Sequence, residues 1–316
     1  MTRSWAGALN RRQFIRTAAA SAGALTLAER FAWATDDPSP RYDISLAAWS
    51  LHRMFFAGRI DQLGMIRLCR SEFDLNAFEM VSTMWPEPTP AYIRRVKDVA
   101  GEAGVRLLLI MCDGQGNMSG TARKERTNAI QNHQKWVDRA AQLGCHSIRC
   151  NVGHVRSDDA DAVKRSADSF AALTEYGKKN RVQILIENHG GVSSDPAWLV
   201  SLMKAVDDPF FGTLPDFGNF PPETDKYDAI DRMMPYAKAV SAKCYDFDDT
   251  TGMETTIDFP RMMDIVTSAG YHGHVGIEYD GKRLDERTGI KRAVALLMRI
   301  REATHSTPKG PTGRPS

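Results

Sequence analysis

Short apolar runs of strand length alternate along this chain with longer stretches in which apolar residues recur every three or four positions, the spacing that buries one face of a helix. The first run is Ile44 to Trp49, with helical spacing around 60–70 after it. The second, Leu75 to Val81, is followed by Pro86, Pro88 and Pro90, and then by a helix expected from about Ala91 to Ala103 with Gly104 just past its end. Val105 to Met111 is the clearest strand, and the long helix of about Ala122–Leu143 runs from it to Gly144. Ser147 to Asn151 makes the fourth strand. Ser157-Asp158-Asp159 is placed to cap the next helix, which continues to about Lys179. Val182 to Glu187 is the fifth strand, and Asp195-Pro196 opens a helix at its N-cap and first position. Gly212–Asp216, Ala239–Lys243 and His274–Glu278 complete the strands, with a last helix over about 286–301.

Eight strand–helix units in order, over the span 43–304, match an α/β fold of one kind, the (β/α)8 TIM barrel. The competing open, doubly wound sheet usually carries a G-x-G-x-x-G turn after its first strand, where this chain has Ser50-Leu51-His52-Arg53. Composition agrees with one large globular domain: 42% hydrophobic, 25% charged, with 24 Gly and 15 Pro scattered. The 41 Lys+Arg nearly cancel the 39 Asp+Glu, so no basic excess marks a nucleic acid as partner.

The N-terminus departs from this rhythm. Asn10-Arg11-Arg12-Gln13-Phe14-Ile15-Arg16 resembles a twin-arginine export signal, and the apolar run Thr17–Leu27 and Ala32-Trp33-Ala34 supply its core and cleavage site. Residues 1–34 are therefore read as a signal peptide, 35–42 as a Pro-rich linker and 305–316 as a disordered tail. The mature protein is expected in the periplasm or outside the cell. The other reading is a basic, Ala-rich amphipathic helix of a cytosolic protein. No run reaches the ~20 apolar residues that span a bilayer, so no stable membrane association is expected. Five cysteines (Cys69, Cys112, Cys145, Cys150 and Cys244) show no C-x-x-C and no even framework, which suits buried free thiols.

In a barrel the chemistry sits where strands run out, at the C-terminal face. Those positions hold Trp49 and His52 after the first strand, Glu79 on the second and Asp113 after the third. Arg149, Asn151 and His154 follow on the fourth, and Glu187-Asn188-His189 on the fifth. The sixth ends Asp216-Phe217-Gly218-Asn219, the seventh runs from Lys243 to Asp246, and the eighth ends Glu278-Tyr279-Asp280. Carboxylates thus close strands five, six and eight, each behind an apolar run. A bare buried carboxylate is costly, and one divalent ion shared by Glu187, Asp216 and Glu278 would meet the need of all three. Oxygen ligands suit Mn2+, Mg2+ or Zn2+. Loop capping, or pairing with Arg and Lys, is the other use of such acids.

Three segments carry a family resemblance: Ile186-Glu187-Asn188-His189-Gly190-Gly191, Pro215-Asp216-Phe217-Gly218-Asn219 and Gly276-Ile277-Glu278-Tyr279-Asp280-Gly281. They resemble the signatures of the xylose isomerase-like TIM barrel superfamily, which holds sugar-phosphate isomerases and epimerases, ketose 3-epimerases, inosose isomerases and dehydratases, and a repair-endonuclease branch. In the epimerase branch the strand-five and strand-eight glutamates, the strand-six aspartate and a strand-seven histidine hold one divalent ion. By position the resemblance assigns the metal to Glu187, Asp216 and Glu278 and the acid/base work to Glu187 and Glu278. The strand-seven histidine sits two residues before a lysine in that branch. Here the lysine is Lys243 and the earlier position is Ser241, so His189, Asp246 or water is left as the further ligand.

The resemblance implies a metal-dependent isomerase or epimerase acting on a sugar, keto-sugar or cyclitol through an enediolate, with Lys243 near the oxyanion. A lyase or dehydratase acting on a 3-keto-glycoside could use the same site. His154, His189, His52 and Asn219 are candidate donors to sugar hydroxyls, and Trp49, Trp85 and Phe217 candidate stacking rings. Two further readings are a phosphodiesterase of the repair type, opposed by the charge balance, and a non-catalytic carbohydrate-binding barrel. Homo-oligomers are common among such barrels, and the expected partner is a small carbohydrate.

Overall fold

The computed structural model describes residues 42–156 and 158–305. The expected leader (1–34) and all of the linker but Tyr42 lie outside the described residues, as does the expected tail beyond His305. Eight strands form: β1 (Asp43–Ala47), β2 (Ala77–Val81), β3 (Arg106–Cys112), β4 (Ser147–Cys150), β5 (Gln183–Glu187), β6 (Phe211–Leu214), β7 (Val240–Cys244) and β8 (His274–Tyr279). They are parallel, in the order β6-β5-β4-β3-β2-β1-β8-β7. The ring closes between β6 and β7 through single parallel bridges, Thr213 with Ala237 and Asp216 with Ser241. Pro215 has no N–H to give the ladder, so β6 stops short, and its carbonyl instead accepts from the Ser241 N–H at 2.9 Å.

A helix follows each strand: α1 (Gln62–Ser71), α2 (Pro90–Ala103), α3 (Arg123–Leu143), α4 (Ala162–Asn180), α5 (Pro196–Val206), α6 (Lys226–Met233), α7 (Phe259–Ser268) and α8 (Glu286–His305). A short helical turn, His52–Phe56, precedes α1. The barrel expected from the sequence is thus present, with strand ends shifted by a residue or two. Gly104 and Gly144 end α2 and α3 in the left-handed conformation, at φ 66° and 78°. Asp195 accepts from the Ala197 N–H and Pro196 opens α5, as the dipeptide predicts.

Two details differ from the sequence reading. Helix α4 begins at Ala162, past Ser157-Asp158-Asp159, and its N-cap Asp161 makes no side-chain cap. The acids meant for that cap are drawn to cations instead, Asp158 to Arg156 and Asp159 to Arg165. Helices α6 and α7 were not individually visible as apolar periods. Their signals are the N-caps Asp225 and Asp258, each accepting backbone N–H bonds at the helix start.

Apolar side chains on the outer faces of the strands, such as Phe78, Ile110 and Ile184, are buried and belong to one hydrophobic core with the helices. Alternation puts the intervening residues inside the barrel. There Ser45, Ser147, Ser241 and Gly276 are small, and Glu79 occupies the room they leave; a side chain at Gly276 would come within 2.5 Å of its carboxylate. All five cysteines are buried and free. No helix among the described residues is long and apolar enough to cross a membrane.

Candidate active site at the barrel mouth

Glu187 ends β5, Asp216 follows β6 and Glu278 lies near the end of β8, so three positions on one arc of the ring, with β7 between the last two, turn carboxylates inward. Each offers an oxygen, and these oxygens lie within 4.8 Å of one another. All three residues are buried. The convergence expected of the strand-end acids is therefore present.

Their oxygens also meet donors of the protein. Asp216 Oδ1 accepts from the backbone N–H of Gly218 and of Asn219, both at 2.8 Å, which holds the loop after β6. Ser241 Oγ donates to Asp216 Oδ2 at 2.8 Å and lies 3.2 Å from Glu278 Oε2. Lys243 Nζ is 2.7 Å from Glu278 Oε1, 2.9 Å from Asn219 Oδ1 and 3.8 Å from Asp216 Oδ2. Arg149, on the inner face of β4, donates to Asp113 at 2.6 Å. Its Nε lies 2.8 Å from Glu187 Oε2, close enough for an ion pair but not aligned as a hydrogen bond, so neither atom has one.

Burial pushes the Glu187 and Asp216 carboxyls up, and the acids repel one another, while Arg149 and Lys243 pull them down; the net displacement is upward. Burial pulls Lys243 down, but Asp216, Glu278 and Glu187 outweigh it and raise the ammonium. Burial and the Arg149 charge lower His189. Its Nδ1 faces Asn151 Oδ1 at 3.1 Å, and Asn151 spends its own N–H on Asp113. His189 Nδ1 must then be the donor, which leaves Nε2 of the neutral ring as an acceptor.

A cavity of about 220 Å3 opens at Glu278, which lines it together with Lys243, Arg149, Trp49, His189 and Asn219, while Glu187 and Asp216 lie behind that lining. Trp49, His189 and Asn219 thus stand where the sequence reading put them. His154 does not: it lines an outer trough that meets this cavity at His189. His52 stacks on Trp49 and faces Asp280 and Glu286, each at 3.8 Å. Trp85 packs edge-on against Tyr92 and Trp136, and Phe217 is fully buried against Phe259, so neither offers a face to a ligand. Asp246 is held by Arg283 at 2.8 Å and does not join the acidic cluster. Ser241 and Arg149 had no assigned role from sequence. An arginine inside the apolar run Ser147-Ile148-Arg149-Cys150 was the signal for an inward cation.

A barrel whose strands five, six and eight deliver acids to one point defines a site class. The family model for the xylose isomerase-like TIM barrel matches residues 70–300, and the chain belongs to that family. No curated protein matches the sequence closely. Among solved structures, an L-ribulose 3-epimerase is 16% identical at a TM-score of 0.67, covering 85% of this chain and 100% of its own. A 3-keto-D-glucoside 4-epimerase from E. coli is 16% identical at a TM-score of 0.62, covering 83% and 99%. A xylose isomerase-like TIM barrel protein from Mycobacterium smegmatis, in complex with magnesium, is 15% identical at 0.61, covering 83% and 97%. At such identities these likenesses speak to the fold.

Proposed function

We propose that the protein is an isomerase or epimerase that moves a proton next to a carbonyl on a sugar, keto-sugar or cyclitol, with Glu187 and Glu278 as the acid/base pair. The observation that carries this is the convergence of the two glutamates and Asp216, with Glu278 of the three lining a cavity of about 220 Å3. Glu187, pushed upward by burial, is suited to take a proton near neutral pH, and its Oε2 has no hydrogen bond to lose. Glu278 returns the proton from the other side, to the same carbon for epimerisation or to the next for isomerisation. The Lys243 ammonium, already fixed between Glu278 and Asn219, stabilises the oxygen that becomes negative. Trp49 offers a ring face, and His189 and Asn219 hydrogen-bond hydroxyls.

The three carboxylates fit one divalent ion (Mn2+, Mg2+ or Zn2+), each offering one oxygen to a common point. Bound there, such an ion would supply Lewis acidity to the carbonyl and neighbouring hydroxyl of the substrate. On β7 it is Ser241 whose hydroxyl lies beside Asp216 and Glu278, so Ser241→His, which would bring an imidazole to the acids, should tighten Mn2+ about tenfold in a binding titration.

Deuterium uptake from D2O into a panel of keto-sugars, with metal present, is the test. Exchange supports the reading, and none on any of them with metal demonstrably bound sinks it. β-Elimination from the same enediolate is the second reading, favoured by His189, which stands where a leaving group would pass into the outer trough. Export by the twin-arginine route is part of the proposal, supported by the Arg11-Arg12 leader. Fractionation of cells expressing the chain and its Arg11→Lys/Arg12→Lys variant checks it, with the wild type expected in the periplasm and the variant retained.

A further inference from the structure

The inner cavity, at about 220 Å3, is smaller than the roughly 300–1,000 Å3 typical of sites that enclose a whole small-molecule ligand. Beyond His189 lies a trough of about 660 Å3, bounded by the loops after β3, β4 and β5. Its floor is largely backbone: a Cβ added at Gly114, Gly190 or Gly191 would meet no atom within 4 Å. Asn117 Nδ2 donates to the His154 carbonyl at 3.1 Å, tying the loops after β3 and β4 into one wall. His189 lines both spaces.

The lining chooses among occupants. Among the described residues that line the trough there is no lysine or arginine, so a phosphate or carboxylate finds no countercharge in them. None is a Phe, Tyr or Trp, so an aromatic group finds no stacking face. What it presents is amides, imidazoles, the Ser193 hydroxyl, one carboxylate (Glu125) and bare peptide groups, which pair with neutral hydroxyls, beside the apolar Val152 and Val155, which suit the C–H faces of a sugar ring.

We infer that the trough is a second sugar subsite, and that the substrate is a neutral disaccharide whose reacting ring sits over Glu187 and Glu278. This rests on the reading of the inner site as a keto-sugar proton-transfer centre. With the glycosyl (non-reducing) unit as the reacting ring, the glycosidic linkage locks its anomeric carbon as an acetal. The carbonyl needed for proton transfer is then a ring ketone, and an oxidation of a ring hydroxyl must come before this step.

The test compares a keto-disaccharide with the keto-monosaccharide that has the same oxidised ring, by deuterium uptake. Wild-type kcat/KM should be at least tenfold higher for the disaccharide. Val155→Trp, which fills the trough wall away from the acids, should erase that preference and leave the monosaccharide rate within about twofold. Equal rates on both sugars in the wild type, or a preference untouched in a folded Val155→Trp protein, overturns the inference. If that variant does not fold, the wild-type comparison decides alone. If neither sugar exchanges, the reading of the inner site has failed instead, and calorimetric binding of the unoxidised disaccharide and monosaccharide decides the trough. Tighter disaccharide binding keeps the subsite, and equal or absent binding removes it.

Discussion

Glu79, on the inner face of β2, accepts one hydrogen bond from Ser45 at 2.6 Å, and its other oxygen has no partner. Glu187, Asp216 and Glu278, nearer the mouth, meet Lys243, Arg149, Ser241 and two backbone N–H groups. Both sets are buried in the same barrel. The deep acid has no cation against it, and burial, with the charges of Glu278 and Glu187 adding, pushes it up to about 7. It meets the cost of burial by keeping its proton for much of the neutral range. The mouth acids have cations beside them as well, and although burial still raises Glu187 and Asp216, Arg149 and Lys243 pull them down, which nothing does for the deep acid but Ser45. The same side-chain chemistry becomes structural in one layer and reactive in the next, and the difference lies in the countercharges.

Four substitutions break or sharpen that contrast. Glu187→Gln, which removes a reactive acid but little volume, should cut deuterium exchange by roughly 10²–10⁴-fold while the folded spectrum is kept. Lys243→Met leaves Glu278 and Asp216 without their ammonium. It should cost about 3–5 kcal/mol in urea unfolding at pH 7 and less at pH 5, where Asp216, raised by its burial, can take up a proton.

Glu79→Gln should act through pH alone. The folded protein holds the Glu79 proton up to about 7, whereas the unfolded chain releases it near 4.5. Stability present below pH 4.5 is therefore lost as pH rises through 7, on the order of 3 kcal/mol, and the glutamine should flatten that slope in unfolding curves taken from pH 4.5 to 8. An unchanged slope would mean that Glu79 ionises without penalty, and the contrast between layers would go with it. Gly276→Ala should cost about 1–3 kcal/mol, because its Cβ would sit 2.5 Å from the Glu79 carboxylate. In a Glu79→Ala background most of that cost should vanish, a coupling that a double-mutant cycle measures directly.

The barrel was legible in the chain because strand and helix periods are local, and so were its helix stops at Gly104 and Gly144 and its start at Asp195-Pro196. The acids at 187, 216 and 278 were legible because each breaks an apolar run at a strand end, and convergence there follows from the closure of the ring. The misplaced start of α4 and the silence over α6 and α7 share one cause: short helices and caps are decided by which partners compete for a side chain. Asp159 illustrates it, spent on Arg165 and not on a helix end.

By itself the order of residues determined the number of strand–helix units, the inward facing of alternate side chains and the acids at the ends of strands five, six and eight. Only the folded ring decided the partners: that Ser241 donates where a histidine was looked for, that Arg149 lies against Glu187, and that Asp246 turns to Arg283. Strand period is a property of a few consecutive residues, whereas a countercharge is set by distances between strands far apart in the chain, and those distances exist only once the barrel has closed.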